Sequence, residues 1–182
     1  MHYGFWYEDT KGLEQAILNT NTFVIDALAI GPKDVVLDAG CGVGGTSIHI
    51  AETTGARIEG ITLSDVQLSI ARTKSSRSPA ACLLNFSKQD FSETNFKSET
   101  FSKVFGIESV CYSHRKSAFL EEAYRILKSG GKLAVVDTFL IKEELDEEEM
   151  RIYSKTIDGW VVPNLSQERG SGRPLSNVGL RT

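Results

Sequence analysis

The stretch VVLDAGCGVGG, residues 35–45, constrains the fold more than any other part of the chain. A β-branched apolar run ends in one acid, and four glycines follow within six residues. The run has the length and composition of a buried strand. A tight turn needs one or two glycines; four mean that backbone comes close to something else. TSIHIAETTG, 46–55, then reads as a helix closed by Gly55. A strand, a glycine loop and a helix in that order place a ligand at the carboxyl end of a parallel sheet.

The rest of the sequence repeats that alternation. ARIEGITLS (56–64) is a second strand. SDVQLSIARTKSSR (64–77) is a helix with Ser64 as its N-cap and Val66, Leu68, Ile70 and Ala71 as apolar positions. ACLLNFSKQD (81–90) holds a third strand and FSKVFGIES (101–109) a fourth. HRKSAFLEEAYRILKSGG (114–131) predicts an amphipathic helix with a stripe of Phe119, Leu120, Ala123, Ile126 and Leu127, stopped by Gly130 and Gly131. KLAVVDTFL (132–140) is a fifth strand. Such alternation implies the α/β class, a doubly wound and mostly parallel sheet covered by helices on both faces. The 182 residues fit one domain. Residues 1–30 read as a lead-in or lid segment, helical from Leu13 to Ala29, and 31–141 as the core. Residues 142–164 read as an acidic helix and the start of a cap, and 165–182 as a loose tail. The six acids within 143–149 fit a solvated helical face.

Composition narrows the ligand. A net charge of −4 argues against a nucleic-acid surface, which needs clustered Lys and Arg. No apolar run is long enough for a membrane span, and MHYGFWYEDTKG has no signal-peptide pattern. Cys41, Cys82 and Cys111 form no CxxC pair, so neither a disulfide framework nor a metal site is expected, and a reducing, cytoplasmic setting fits.

Three ligands compete for the loop. A phosphate loop needs a Lys after the glycines, and none is present. A dinucleotide loop fits the spacing through Gly40, Gly42 and Gly45, but needs an acid at the end of the second strand, where this chain has Thr62 and Ser64. S-adenosylmethionine fits DAGCGVG: Asp38 suits an ammonium group, and the loop and helix-start amides suit a carboxylate.

VVLDAGCGVGG, GITLS, SKQDF, FGIESV and ILKSGGKLAVVD together resemble the class I S-adenosylmethionine-dependent methyltransferases. HYGFW and GITLS…Q resemble the branch that contains sterol and tocopherol C-methyltransferases, cyclopropane-fatty-acid synthase relatives and sarcosine/dimethylglycine N-methyltransferases. The resemblance spans residues 2–164 and implies a Rossmann-like fold and methyl transfer to a small-molecule acceptor. It implies that Asp38, Gly40, Cys41 and Gly42 line the methionine half of the cofactor. Thr62, Leu63 and Gln67 would lie by the ribose and adenine, Asp90 and Phe91 by the adenine, and Ile107 at the edge of the reaction centre. Tyr3 is expected over the cofactor, Glu108 as the carboxylate nearest the chemistry, and His114 as the histidine near the site, with Tyr112 able to orient an acceptor.

The family fold has seven strands, and only five are visible here. That implies a shortened form with an exposed sheet edge, an uncovered apolar face near 132–140, and self-association through that edge. Two functions follow: an active small-molecule methyltransferase, or a cofactor-binding fragment with little catalysis. An NAD-dependent oxidoreductase is a remoter alternative.

Overall fold

The structure, a computed structural model, describes residues 3–140, 142 and 144–167. Five strands form the sheet: β1 (Val35–Ala39), β2 (Arg57–Thr62), β3 (Leu84–Lys88), β4 (Phe101–Ile107) and β5 (Leu127–Val136). Their order is β3-β2-β1-β4-β5, and every neighbouring pair is parallel. The helices are α1 (Leu13–Leu28), α2 (Gly45–Thr54), α3 (Asp65–Ser75), α4 (Lys116–Ile126) and α5 (Glu147–Trp160). The strand order reverses between β1 and β4, so the crevice for a ligand lies past the ends of these two strands.

Strand pleating sorts each apolar run onto two faces. Val36, Ile58 and Phe105 pack with Val24 and Leu28 of α1 and Ile50 and Ala51 of α2. Leu37, Ile61 and Val104 pack with Phe119, Ala123 and Ile126 of α4. Both faces are thus covered, as the continuous hydrophobic runs demanded. α3 begins at Ser64, whose hydroxyl accepts the Gln67 amide, and sends Leu68 and Ala71 against Phe86 and Cys41.

Some local expectations change. Val66 and Ile70 are 70% and 39% exposed, because positions 66, 68 and 70 recur with period two, whereas the buried face of α3 follows 68, 71 and 75. Leu120 faces out because it lies one position off the stripe of Phe119, Ala123 and Ile126. α4 ends at Ile126, five residues before the expected stop, and Leu127 already pairs with Phe101. Gly130, at φ 74°, lies inside β5 where the pairing register shifts, so the KSGG signal serves a strand irregularity.

β5 ends the sheet, and its outer backbone edge has no strand partner among the described residues. Its apolar side chains are not uncovered: Leu133 and Val135 pack on one core cluster and Ala134 and Val136 on the other. Beyond it, β6 (Phe139–Leu140) and β7 (Ser166–Gln167) form a separate two-residue parallel ladder, which draws the first residues of the expected tail into structure. Residues 168–182 of that tail lie outside the described residues. α5 starts with a full capping box from Asp146 and Glu149, and Glu147, Glu148 and Glu149 occupy its first turn.

Candidate active site

Three of the loop glycines take left-handed φ values, for two different reasons. A Cβ on Gly40 (φ 87°) would lie 2.5 Å from Ser109 Cβ, and one on Gly44 (φ 78°) would lie 3.0 Å from Ala71 and Phe86. Those two let the protein close on itself. Gly42 (φ 54°) has nothing within 4 Å of that position. Its freedom therefore serves backbone shape beside open space. The Gly40 and Cys41 amides donate to Ile61 O, whereas those of Gly42 and Val43 have no partner among the described residues. The loop thus offers two free N–H donors beside the start of α2.

Asp38 lies beneath this loop, 3% exposed, at the end of β1. Its Oδ2 accepts the Ser47 hydroxyl at 2.5 Å, which ties β1 to the first turn of α2. Burial lifts its carboxyl from 3.8 to about 7, against the lowering effect of Ser47. Cys41 turns inward to Leu68, Ala71 and Phe86, and burial raises its thiol far above the ordinary range. It supports the loop from the core side.

At the end of β2, the Thr62 hydroxyl donates to Gln67 Oε1 at 2.8 Å, leaving the exposed Gln67 amide as a donor. Leu63 beside it is 60% exposed. Asp90 follows β3; its Oδ1 accepts the Ser92 amide at 2.7 Å, so it braces its own turn, and its Oδ2 has no partner among the described residues. Phe91 packs edge-on against Phe119, with ring centroids 5.3 Å apart, and is partly core.

Ile107 and Glu108 stand across the crevice from the loop, at the end of β4. Ile107 packs against the core. Glu108 has φ 45°, a strained backbone for a side chain of its size. Its Oε1 accepts the Tyr3 amide at 3.0 Å. Burial raises its carboxyl, the Tyr3 amide opposes that rise, and nearby Asp137 adds to it. The Tyr3 ring stacks on Trp160 at the end of α5, 5.6 Å apart and 21° from parallel. A strap of chain delivers Tyr3. The Phe5 amide donates to Ala16 O and Thr20 Oγ1, both at 2.9 Å, and Asn19 Nδ2 donates to Phe5 O. Gly4 (φ 79°) crosses so close to α1 that a Cβ would lie 2.3 Å from the Ala16 carbonyl carbon.

His114 is exposed, with no hydrogen bond among the described residues, so it is not drawn into the Glu108–Tyr3 contact. Asp137 and Trp160 are site neighbours that sequence reasoning missed. Asp137 Oδ2 accepts the Cys111 amide at 2.8 Å and fixes the turn that follows Glu108. Its signal was the acid closing the LAVVD run; Trp160 gave none, being 157 positions from its stacking partner Tyr3 in sequence. Burial, then the charge of Asp137, pushes the Cys111 thiol up to about 12, so it is no nucleophile. No group of three or more His, Cys, Asp or Glu among the described residues could hold a metal ion.

A family model described as a methyltransferase domain matches residues 37–135, from the glycine loop to the last strand of the sheet. The chain belongs to this methyltransferase family. The loop fits the S-adenosylmethionine expected from the sequence: a buried acid, two free amides and room above Gly42. This methyltransferase domain is 32% identical over 150 residues to sterol 24-C-methyltransferase of Saccharomyces cerevisiae, covering 81% of the chain and 39% of that protein. It is 30% identical over 143 residues to an O-methyltransferase of Pyrenophora dematioidea, covering 77% and 54%. Geranyl diphosphate C-methyltransferase from Streptomyces coelicolor A3(2), solved with geranyl diphosphate and S-adenosyl-L-homocysteine, shares the fold with TM-score 0.79 at 21% identity, over 93% of this chain and 67% of that one. The cyclase SpnF also superposes, with TM-score 0.74 at 26% identity, over 80% and 53%. The chain spans 39–46% of the length of the first three curated relatives.

Proposed function

We propose that this chain transfers the methyl group of S-adenosylmethionine to a small, largely apolar acceptor at a centre that gains positive charge, such as an alkene carbon or an amine nitrogen. The observation that carries the reading is the pairing, across the β1/β4 crevice, of the cofactor loop with a half-buried carboxylate under an aromatic strap. The cofactor supplies an activated methyl group on a sulfonium. The Gly42 and Val43 amides hold its carboxylate, and Asp38 faces its ammonium end. Gln67, oriented by Thr62, meets the ribose beside Leu63, and Asp90 Oδ2 accepts from the adenine amino group beside Phe91. Gly40 and Cys41 shape the loop from behind.

Glu108, with Asp137 nearby, makes the strand ends negative, which favours a cationic sulfur and an acceptor that becomes cationic. Glu108 is also the group placed to take a proton from such an acceptor. Tyr3 and Trp160 cover the crevice, exclude water and add ring faces that stabilise positive charge. His114 remains a second base only for an acceptor that reaches the turn before α4. The names of the relatives, which include sterol and geranyl diphosphate C-methyltransferases, support an apolar acceptor. The three unpaired thiols support a reducing cytoplasmic setting, and no described helix is long and apolar enough to cross a membrane. The β5 edge, without a strand partner among the described residues, supports self-association, which light scattering across a dilution series tests.

Calorimetry with S-adenosylmethionine and NAD, followed by label transfer to sterols, prenyl alcohols, amines and phenols, tests the reading. Binding of S-adenosylmethionine alone and turnover on an alkene or amine are expected. Turnover confined to phenols would overturn the charge argument. Binding without turnover on any acceptor would favour the alternative of a cofactor-binding fragment.

A further inference from the structure

The segment between β3 and β4 carries Asp90 and Phe91, yet its firmest attachment lies four residues further on. Thr94 is 9% exposed and meets Glu122 of α4, also 9% exposed. One oxygen, Glu122 Oε1, accepts the Thr94 amide at 2.9 Å and the Thr94 hydroxyl at 2.5 Å. Arg125 completes the group, with Nη2 2.6 Å from Oε1 and Nε 2.8 Å from Oε2. Burial alone would raise the Glu122 carboxyl, but the Arg125 and Thr94 hydrogen bonds together hold it below the ordinary range, so it is ionised. The same segment is closed by Gln89 Oε1 accepting the Asn95 amide, and by an antiparallel bridge between Asp90 and Glu93. Asp90 therefore sits in a small turn whose two ends are pinned, one to β3 and the other to α4.

Glu122 is buried but Arg125 is 38% exposed, and a pair so open to solvent is a poor source of stability. What it adds is a fixed geometry. We propose that Glu122 is a positioning residue for cofactor recognition: through Thr94 it sets the height of the Asp90 turn over the adenine, and so governs discrimination at the purine 6-position. This rests on the reading of Asp90 as the acceptor of the adenine amino group. Glu122 touches no part of the cofactor; it acts through the loop. Arg125 keeps Glu122 charged and oriented and itself donates to Thr94 O and Oγ1 only at 3.4 and 3.5 Å, so the short bonds that hold the loop are those to the carboxylate.

The test uses S-adenosylhomocysteine and S-inosylhomocysteine, whose purines differ by a 6-amino donor against a 6-oxo acceptor with the adjoining N1–H. An amino group donates to Asp90, whereas a 6-oxo group repels it, so the unsubstituted protein is expected to prefer the adenosyl ligand by about tenfold or more. Asp90→Ala removes the preference and serves as the reference. Glu122→Ala is expected to reduce it to within about threefold, while Glu122→Gln, which keeps an acceptor oxygen for Thr94, restores most of it. Arg125→Ala is expected to lower the melting temperature and keep the preference. If Glu122→Ala does not fold, Thr94→Val, which removes the hydroxyl at constant volume, is expected to halve the preference on a logarithmic scale. A full preference in Glu122→Ala or Thr94→Val, with only the melting temperature lowered, overturns the positioning role. No preference in the unsubstituted protein, with tight binding of both ligands, overturns the Asp90 assignment and this proposal with it. Failure to bind either ligand would instead strike at the cofactor itself.

Discussion

Asp38→Asn separates what the buried acid costs from what it does. The Asp38 carboxyl is lifted from 3.8 to about 7 by burial. Between those values the unfolded chain releases this proton and the folded chain keeps it, so stability falls as pH rises through that window and levels off above about 7. At about 1.4 kcal/mol per pH unit, the penalty on the ionised form is about 4 kcal/mol at pH 8. Asparagine is uncharged, and its Oδ1 can still accept the Ser47 hydroxyl. Its NH2 adds a buried donor, which costs about 1–3 kcal/mol if unpaired. The net expectation at pH 8 is a gain of about 2 kcal/mol, or about 4–8 °C in melting temperature for a chain of this size. At pH 5, little more than one unit above 3.8, the penalty is only about 1.6 kcal/mol, which the cost of the buried NH2 cancels, so the variant gains nothing there. Cofactor affinity moves the other way, falling about tenfold or more as a charged hydrogen bond is lost. Thermal melts of the ligand-free protein at pH 5 and 8, with calorimetry on S-adenosylhomocysteine, read all three quantities. A variant destabilised equally at both pH values would refute the reasoning, since Asp38 would then carry no burial penalty.

The two kinds of loop glycine separate in the same assays. Gly40→Ala meets Ser109 at 2.5 Å, so it is expected to lower stability by about 2 kcal/mol or more in urea melts. Gly42→Ala has open space and pays only the left-handed backbone cost of about 1–2 kcal/mol, yet is expected to weaken S-adenosylhomocysteine more than Gly40→Ala does. Glu108→Gln is expected to reduce methyl transfer about 100-fold or more in single-turnover assays while leaving S-adenosylhomocysteine affinity within about threefold. Gly4→Ala drives a methyl into the Ala16 carbonyl, so it is expected to unseat the strap and lower kcat about tenfold with little change in far-UV circular dichroism.

The sheet was legible because its information is local. Each strand is one short β-branched run, and Ser64, Gly55 and Asp146 mark helix ends through bonds to neighbours in sequence. The errors arose where a local signal had two uses. Gly130 reads as a helix stop, but its left-handed φ serves a register shift that only the pairing of Phe101 with Leu127 reveals. Val66, Ile70 and Leu120 are apolar, but lie off the buried faces of their helices. The glycine loop and the buried acid that precedes it were legible for the same reason as the sheet. The far side of the crevice was not: Tyr3 and Glu108 are 105 positions apart, and nothing in either neighbourhood names the partner. The Thr94–Glu122 contact, 28 positions apart, is equally silent in sequence.

The strap's anchoring has a kinetic consequence. Phe5 is fixed to α1 by three hydrogen bonds, so the Tyr3 amide hangs from a clamped point by only two residues. Such a tether spans about 7 Å when fully extended. A group confined to that radius is present at an effective concentration of about mM or above around its docking site. One exposed hydrogen bond and one ring stack, too weak to join two separate molecules, suffice at that concentration to keep closed and open forms comparably populated. An equilibrium so near balance is tilted tenfold by about 1.4 kcal/mol of differential contact. The covering of the crevice can therefore answer to a few atoms of bound acceptor, with no rearrangement of the sheet beneath.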